Sequence, residues 1–124
     1  MKKTMAVLAC LCLLLLSGCG GSKQFHITDA QKVTLSCADF CSGLVITDSD
    51  TIQQITDNIN ALRFQQEGSS GESTDWSYHL CWYGADGALL EEIFVVGDRT
   101  IQCDGYVWSA SQAGIDIAVL DALF

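Results

Sequence analysis

The side chains best suited to chemistry in this sequence are thiols. Of the seven cysteines, four lie well beyond the N-terminal apolar segment: Cys37, Cys41, Cys81 and Cys103. An even number of cysteines is typical of disulfides when a chain is exported. Cys37 and Cys41 flank a three-residue turn, so they would face each other across a hairpin mouth at a bonding distance. The sequence therefore makes Cys37–Cys41 a candidate disulfide, with buried free thiols as the alternative.

A bond between Cys81 and Cys103 is harder to form. The two residues belong to predicted strands that are separated by a third strand, residues 89–96. If the strand order follows the sequence order, the two thiols are about 10 Å apart, which is too far for a disulfide. They can bond only if the strands are arranged differently.

A redox or metal-binding role is an alternative function for the same residues. Cys37-x3-Cys41 and His79-x-Cys81 supply thiolate and imidazole, which are ligands that zinc prefers. Most structural zinc sites instead show two short chelating pairs separated by a loop. We therefore expect no metal ion, and we interpret His79 as a surface residue opposite an aromatic strand face.

The sequence contains few sets of residues that could catalyse a reaction. Cys81 and His79 could form a nucleophile–base pair, but the sequence has no G-x-S-x-G motif and no evident oxyanion hole. Glu91 and Glu92 are adjacent in a predicted strand, so their side chains point to opposite faces and cannot share a substrate. We expect no catalytic residues, and a hydrolase that uses Cys81 as its nucleophile is the last alternative.

Apolar patterning in the first half predicts two strands and a helix. Residues 29–37 alternate between apolar and polar side chains, as in a half-buried strand, and residues 44–46 form a short returning strand. An apolar stripe at helical spacing then predicts a helix of about 15 residues, with the Thr47 hydroxyl as its cap. The stripe consists of Ile52, Ile55, Ile59 and Leu62.

The second half predicts a four-stranded meander after a polar loop over residues 65–75. The first strand covers residues 76–83 and the second covers residues 89–96, with a β-bulge near Glu91–Glu92. Residues 100–103 and 106–108 form a hairpin around Asp104-Gly105, a type I′ turn dipeptide. Residues 115–124 form one or two helical turns. We predict a single α+β domain, with an antiparallel meander sheet and one amphipathic helix packed on one face.

The N-terminus has the pattern of an export signal. Lys2 and Lys3 precede an apolar run of about 12 residues, which is too short to span a membrane as a helix. The run ends in Leu16-Ser17-Gly18-Cys19. This box resembles the processing site of bacterial lipoprotein precursors, in which the cysteine receives diacylglycerol and the signal is removed directly before it.

The lipoprotein resemblance implies a location and a domain division. Residues 1–18 are the signal peptide, residues 19–28 are the lipidated cysteine and a flexible tether, and residues 29–124 are the globular domain. The fatty acyl groups on Cys19 would be the only covalent addition, and we expect no other cofactor. They would hold the domain on the extracytoplasmic face of the cell membrane.

The charge of the mature chain excludes one class of partner. The full sequence has 6 basic and 15 acidic residues, and loss of Lys2 and Lys3 with the signal leaves 4 basic residues and a net charge of −11. Such a chain cannot neutralise a phosphate backbone, so we expect no nucleic-acid partner.

The domain itself is similar to small Gram-positive lipoproteins that carry one helix against a meander and have no established activity. The positions that carry this resemblance are Ile46, Thr47, Asp48, Ile52, Ile55, Ile59, Asn60, Leu62, Phe64, Trp76, Tyr78, Leu80, Tyr83, Asp86, Gly87, Ile101, Asp104, Gly105, Tyr106 and Trp108. Most of them are core or turn positions, so the resemblance implies a fold and not a chemistry.

The function that these features favour is binding. We expect a non-catalytic domain that binds another envelope protein or a wall glycan. We interpret Trp76, Tyr78 and Trp82 as core residues. Tyr83 and Tyr106, near hairpin ends, fit a recognition surface equally well.

Overall fold

A computed structural model describes residues 21–38, 43–69 and 76–124. The predicted signal peptide, residues 1–18, lies outside the described residues. The lipid-attachment residue Cys19 and the disulfide candidate Cys41 also lie outside them. The signal peptide, the lipid anchor and the Cys37–Cys41 bond therefore stay predictions.

The described chain forms a small α+β domain, as predicted, but its sheet is larger than a meander. Eight antiparallel strands lie in the order β1-β4-β8-β7-β6-β5-β2-β3. The strands are β1 Ser22–Lys23, β2 Lys32–Cys37, β3 Leu44–Ile46, β4 Phe64–Ser69, β5 Tyr78–Tyr83, β6 Leu89–Val95, β7 Thr100–Cys103 and β8 Tyr106–Ala110. The helices are α1 Ser49–Asn60 and α2 Ile117–Asp121. The predicted meander, β5 to β8, forms the centre of this sheet.

Strands β4 and β1 lie in segments that the sequence analysis interpreted as a loop and a tether. The segment predicted to be a polar loop, residues 65–75, begins with most of β4, which pairs with β8 through an irregular register between Gln66 and Gly68. Phe64 is its fully buried anchor. Among the described residues, the outer side of β4 meets only the two residues of β1 and the Gly21 carbonyl, and so its polar sequence suits its position.

The predicted tether also needs correction, because its described part belongs to the domain. Ser22 and Lys23 form β1, and Phe25 and Ile27 are buried in the core. The side chain of Asn60 fixes this segment to the end of α1. It accepts a hydrogen bond from the Ile27 amide at 3.0 Å and donates one to the Ile27 carbonyl at 2.9 Å.

The N-cap of helix α1 lies one residue later than predicted. Asp48, not Thr47, is the N-cap, and its carboxylate accepts hydrogen bonds from the hydroxyl and the backbone amide of Thr51 at 2.7 and 2.9 Å. These two bonds lower the pKa of Asp48. The apolar stripe is confirmed for Ile52, Ile55 and Ile59, which are all buried. The helix has 12 residues instead of about 15, and so Leu62, although buried, follows its end at Asn60.

One face of the sheet holds the hydrophobic core. Side chains from the central strands pack there against α1, α2 and the N-terminal segment. Trp82, which is fully buried, donates a hydrogen bond from Nε1 to the Thr56 hydroxyl on α1 at 3.1 Å. The buried strand residues on this face include Val33, Leu35, Leu80, Trp82, Ile93, Val95 and Ile101.

The other face of the sheet is not covered by either described helix. Because side chains alternate along a strand, the residues between the core positions point to this second face. They include Thr34, Ser36, His79, Cys81, Glu92, Phe94 and Gln102. We call this the open face. In the part of the chain that the structure describes, no helix has both the length and the apolarity needed to cross a membrane.

Candidate functional site

The site that combines several chemical groups lies in the middle of the open face. His79 and Cys81 are two residues apart in β5, and so they point in the same direction. Cys81 is paired directly with Glu92 of β6, which brings that carboxylate to the same place. We call these three residues the His–Cys–Glu cluster.

The three side chains of the cluster are in mutual contact. His79 Nε2 is 2.7 Å from Glu92 Oε2 and 3.4 Å from Cys81 Sγ, and the thiol is 3.6 Å from Glu92 Oε2. Cys81 is 5% exposed, whereas the side chains of His79 and Glu92 are 26% and 45% exposed. The thiol therefore forms the floor of the cluster, and the imidazole and carboxylate form its rim.

Aromatic rings hold the imidazole in place. The His79 ring stacks on Phe94 with ring centroids 4.2 Å apart and an angle of 2° between the ring planes. Trp76 contacts both rings edge-on, at 6.0 Å from His79 and 5.6 Å from Phe94. The sequence analysis interpreted Trp76 as a core residue, and this is wrong. Its ring is part of the open face. We call Trp76, His79 and Phe94 the aromatic patch.

The Cys81 thiol is protonated at neutral pH. Burial raises its pKa, a hydrogen bond with Thr34 opposes this shift, and the negative charge of Glu92 adds to it. A thiol must lose its proton to act as a nucleophile. The environment of Cys81 therefore works against the Cys81-dependent hydrolase that the sequence left as an alternative.

The metal-binding set predicted from the sequence is not assembled. Cys37 points to the core face of the sheet, where it packs against the hydrophobic core. His79 and Cys81 point to the opposite face, so Cys37 cannot share an ion with them. Cys41 lies outside the described residues. His79 and Cys81 do come together, but with Glu92, which the sequence analysis did not assign to the site.

Cys81 and Cys103 are free thiols on opposite faces of the sheet. Strand β6 lies between β5 and β7, as the sequence order predicted, and Cys103 points into the core. Burial, followed by the negative charge of Glu91, raises the pKa of Cys103 to about 12. The Cys103 thiol donates a hydrogen bond to Glu91 Oε1 at 3.6 Å.

Glu91 and Glu92 occupy opposite faces, as predicted. The β-bulge, predicted near Glu91–Glu92, lies just before these two residues. Trp82 pairs with Glu91 and Tyr83 pairs with Leu89, so Leu90 is the extra residue. Leu90 is 44% exposed. A bulge at this point sets which of the two glutamates lies beside Cys81.

A cleft opens beside the cluster where β6 and β7 separate. The two strands pair at only two positions, Phe94–Gln102 and Val95–Ile101. Beyond them, a space of about 460 Å³ lies between the start of β6 and the β7–β8 turn. Glu92 and Phe94 line this cleft, together with Leu89, Leu90 and Asp104. The cluster is therefore accessible from solvent on its Glu92 side.

Comparisons of this chain with protein-family models, with curated proteins and with solved structures found no match.

Proposed function

We propose that this chain is a lipoprotein, anchored to the extracytoplasmic face of the cell membrane, that binds another envelope protein through the open face of its sheet. The observation that supports binding most directly is the aromatic patch of Trp76, His79 and Phe94 on a face that neither described helix covers. The Leu16-Ser17-Gly18-Cys19 box, which resembles a lipoprotein processing site, supports the anchor and the location.

The anchor would hold the domain close to the lipid surface. Strand β1 begins at Ser22, only three residues after Cys19. Three extended residues span at most about 10 Å. Gly21 is already fixed to the sheet, because its carbonyl accepts a hydrogen bond from the Gln66 amide at 3.1 Å. The domain would therefore lie directly on the membrane and would not move on a long linker.

The chain enters the sheet at an end that carries exposed apolar side chains. Gly21 is hydrogen-bonded to Gln66 of β4, which pairs with Trp108 in the middle of β8, two residues from the start of that strand at Tyr106. The start of β6 lies at the same end, and three large apolar residues there are 43–53% exposed: Tyr106, Leu90 and Leu89. Apolar side chains next to a lipid anchor fit contact with the bilayer interface.

The composition of the open face favours a protein as the partner. Aromatic residues are enriched in the centres of protein–protein interfaces, and charged residues are depleted there. Around the aromatic patch, the neighbouring positions Ser36 and Gln102 are polar and uncharged, and the carboxylate of the charged neighbour Glu92 is paired with His79 Nε2 at 2.7 Å. Rigid aromatic rings supply a large contact area at a small entropic cost.

Capture of partners by the membrane-bound protein tests this proposal. The wild-type chain and the variants Trp76→Ala and Phe124→Ala are expressed, photo-crosslinked through a probe at Ser36, and purified after solubilisation. Phe124 is the matched control, because it is an aromatic residue that is 49% exposed and stacks on Tyr78, a residue of the core face and not of the open face. We expect one protein to be crosslinked by the wild type and by Phe124→Ala, and to be lost with Trp76→Ala.

The result that contradicts the proposal is a set of crosslinked proteins that does not change with Trp76→Ala. Purified cell wall is tested in parallel with the same variants. Retention on the wall that requires Trp76 would make a glycan the occupant of the face and would contradict a protein partner.

A further inference from the structure

We propose that His79, Cys81 and Glu92 bind one Zn²⁺ ion, with three protein ligands and one coordination position open to solvent or to a bound partner. The proposal does not depend on the lipid anchor. The set of ligands differs from the one that the sequence suggested, since it uses Glu92 in place of Cys37 and Cys41.

The chemistry of the three side chains suits zinc. Thiolate, imidazole and carboxylate are the three ligand types that zinc uses in proteins, and sites with three protein ligands and one open position are common. Harder cations such as Mg²⁺ and Ca²⁺ prefer sites made only of oxygen ligands. A mixed sulfur, nitrogen and oxygen set therefore selects zinc or a related transition metal.

The distances between the ligand atoms are close to those of a tetrahedral site. Around tetrahedral Zn²⁺ the ligand atoms are separated by about 3.4–3.6 Å, from the usual bond lengths. Cys81 Sγ already lies 3.4 Å from His79 Nε2 and 3.6 Å from Glu92 Oε2. The 2.7 Å separation between His79 and Glu92 must widen by about 0.7 Å, which a small rotation of the half-exposed Glu92 side chain provides.

The sheet fixes two of the ligands before the metal binds. Cys81 is held by the centre of the β5 strand, and the His79 ring is held by stacking on Phe94, so that Nε2 points at the other two ligand atoms. Little conformational entropy is then lost on binding. The binding step replaces the hydrogen bonds within the cluster by bonds to the metal, and the Cys81 thiol gives its proton to solvent.

A simple ion pair explains part of this arrangement but not all of it. A histidine and a glutamate on neighbouring strands form a favourable surface pair by themselves. That pair does not require a buried thiol within 3.6 Å of both its members. The open side of the cluster toward the 460 Å³ cleft also leaves room for the fourth ligand, either a water molecule or a donor atom of a partner.

Titration with Co²⁺, a spectroscopic substitute for Zn²⁺, tests the site directly. The full chain is purified in detergent with its thiols reduced, and metal is removed with a chelator. We expect one equivalent of Co²⁺ to bind and to produce a thiolate-to-cobalt charge-transfer band. The band should be lost in Cys81→Ser and in His79→Gln, and it should persist in Cys103→Ser and in the double variant Cys37→Ser/Cys41→Ser.

The carboxylate ligand is tested with a variant of Glu92 and a matched control variant of the adjacent Glu91. Glu92→Gln keeps a side chain of the same size but removes the carboxylate ligand, whereas Glu91→Gln makes the same change on the opposite face. In competition with a chromophoric chelator, we expect Glu92→Gln to lower the affinity for Zn²⁺ about tenfold or more. Glu91→Gln should leave the affinity unchanged.

Three results would overturn the proposal. They are no stoichiometric Co²⁺ binding by the wild type, a charge-transfer band that is lost in Cys37→Ser/Cys41→Ser but kept in Cys81→Ser, and equal Zn²⁺ affinities of Glu91→Gln and Glu92→Gln. Circular dichroism establishes that each variant is folded. If Cys81→Ser does not fold, His79→Gln and the comparison of Glu92→Gln with Glu91→Gln still test the proposal, because His79 and Glu92 lie on the rim of the cluster.

Discussion

At the scale of single residues, the two buried thiols in the centre of the sheet have different environments. Cys103 lies in the core beside one carboxylate, Glu91, and its pKa is raised to about 12. Cys81 lies under a histidine and a carboxylate that can share an ion with it. Only the second environment suggests a function, since that of Cys103 is explained by burial and one hydrogen bond.

The pKa of Cys103 makes the domain sensitive to alkali. In the unfolded chain this thiol ionises near its ordinary value of 9.0, whereas in the folded protein it stays protonated to about pH 12. The unfolded state therefore binds fewer protons between these values, and the free energy of unfolding must fall as the pH rises from 9 to 12. We expect Cys103→Ala to show a shallower decline in this range.

Urea unfolding at several pH values measures this effect. Comparison of Cys103→Ala with Cys37→Ala separates the change in slope from the general cost of truncating a buried side chain. A wild-type protein and a Cys103→Ala variant with parallel stability profiles between pH 9 and pH 12 would contradict the assignment of the raised pKa to Cys103.

At the scale of secondary structure, helix α1 and its contact with Trp82 stabilise the core face. Ile55 is fully buried in the middle of the apolar stripe of α1. We expect Ile55→Ala to lower the free energy of unfolding by about 2–5 kcal/mol, because it leaves a cavity under the helix. The neighbouring exposed residue is the control, and Gln54→Ala should change stability by less than about 0.5 kcal/mol.

Chemical denaturation of the two helix variants at one pH provides the measurement. Equal midpoints for Ile55→Ala and Gln54→Ala would show that α1 does not pack on the sheet as described.

The elements with a strong apolar period were predictable from the sequence, and the others were not. The isoleucine stripe predicts α1, and the alternation of Tyr78, Leu80 and Trp82 predicts β5 and its buried face. Strand β4 was missed because its sequence after Phe64 is polar and contains a glycine, as in a loop. Strand β1 was missed because glycine, serine and lysine at 21–23 are also typical of a linker.

The candidate site depended on a detail that the sequence does not determine. Periodicity predicts that one of the two glutamates in β6 faces the same side as Cys81. Which one does so depends on the position of the bulge, since a shift by one residue turns every side chain to the other face. The bulge lies at Leu90, and this places Glu92 beside Cys81 and Glu91 beside Cys103.

At the scale of the whole molecule, the proposed anchor and the open face give the domain an orientation. The chain enters the sheet at the end near Tyr106, Leu89 and Leu90, and so this end would lie against the bilayer. The aromatic patch would then stand at the side, accessible to other proteins in the envelope. The net negative charge of the chain opposes binding to anionic lipids, and the acyl chains proposed on Cys19 would have to supply the attraction.

Photo-crosslinking to lipid tests this orientation. A photoreactive amino acid is placed at Leu90 or at Phe124, which have similar exposures of 44% and 49%. Phe124 stacks on Tyr78 at the opposite end of the sheet. We expect crosslinks to lipid from position 90 and few from position 124 in membranes that contain the lipidated protein. Equal yields from the two positions, or a higher yield from 124, would contradict the proposed orientation.

The central claim is that Cys19 becomes the lipidated first residue of the mature protein, and mass spectrometry of the protein purified from bacterial membranes tests it most directly. We predict an N-terminal peptide that begins at Cys19 and carries diacylglycerol, with Cys19→Ser as the control that lacks it. A chain that still begins at Met1, or a mature N-terminus without fatty acid, would contradict the account.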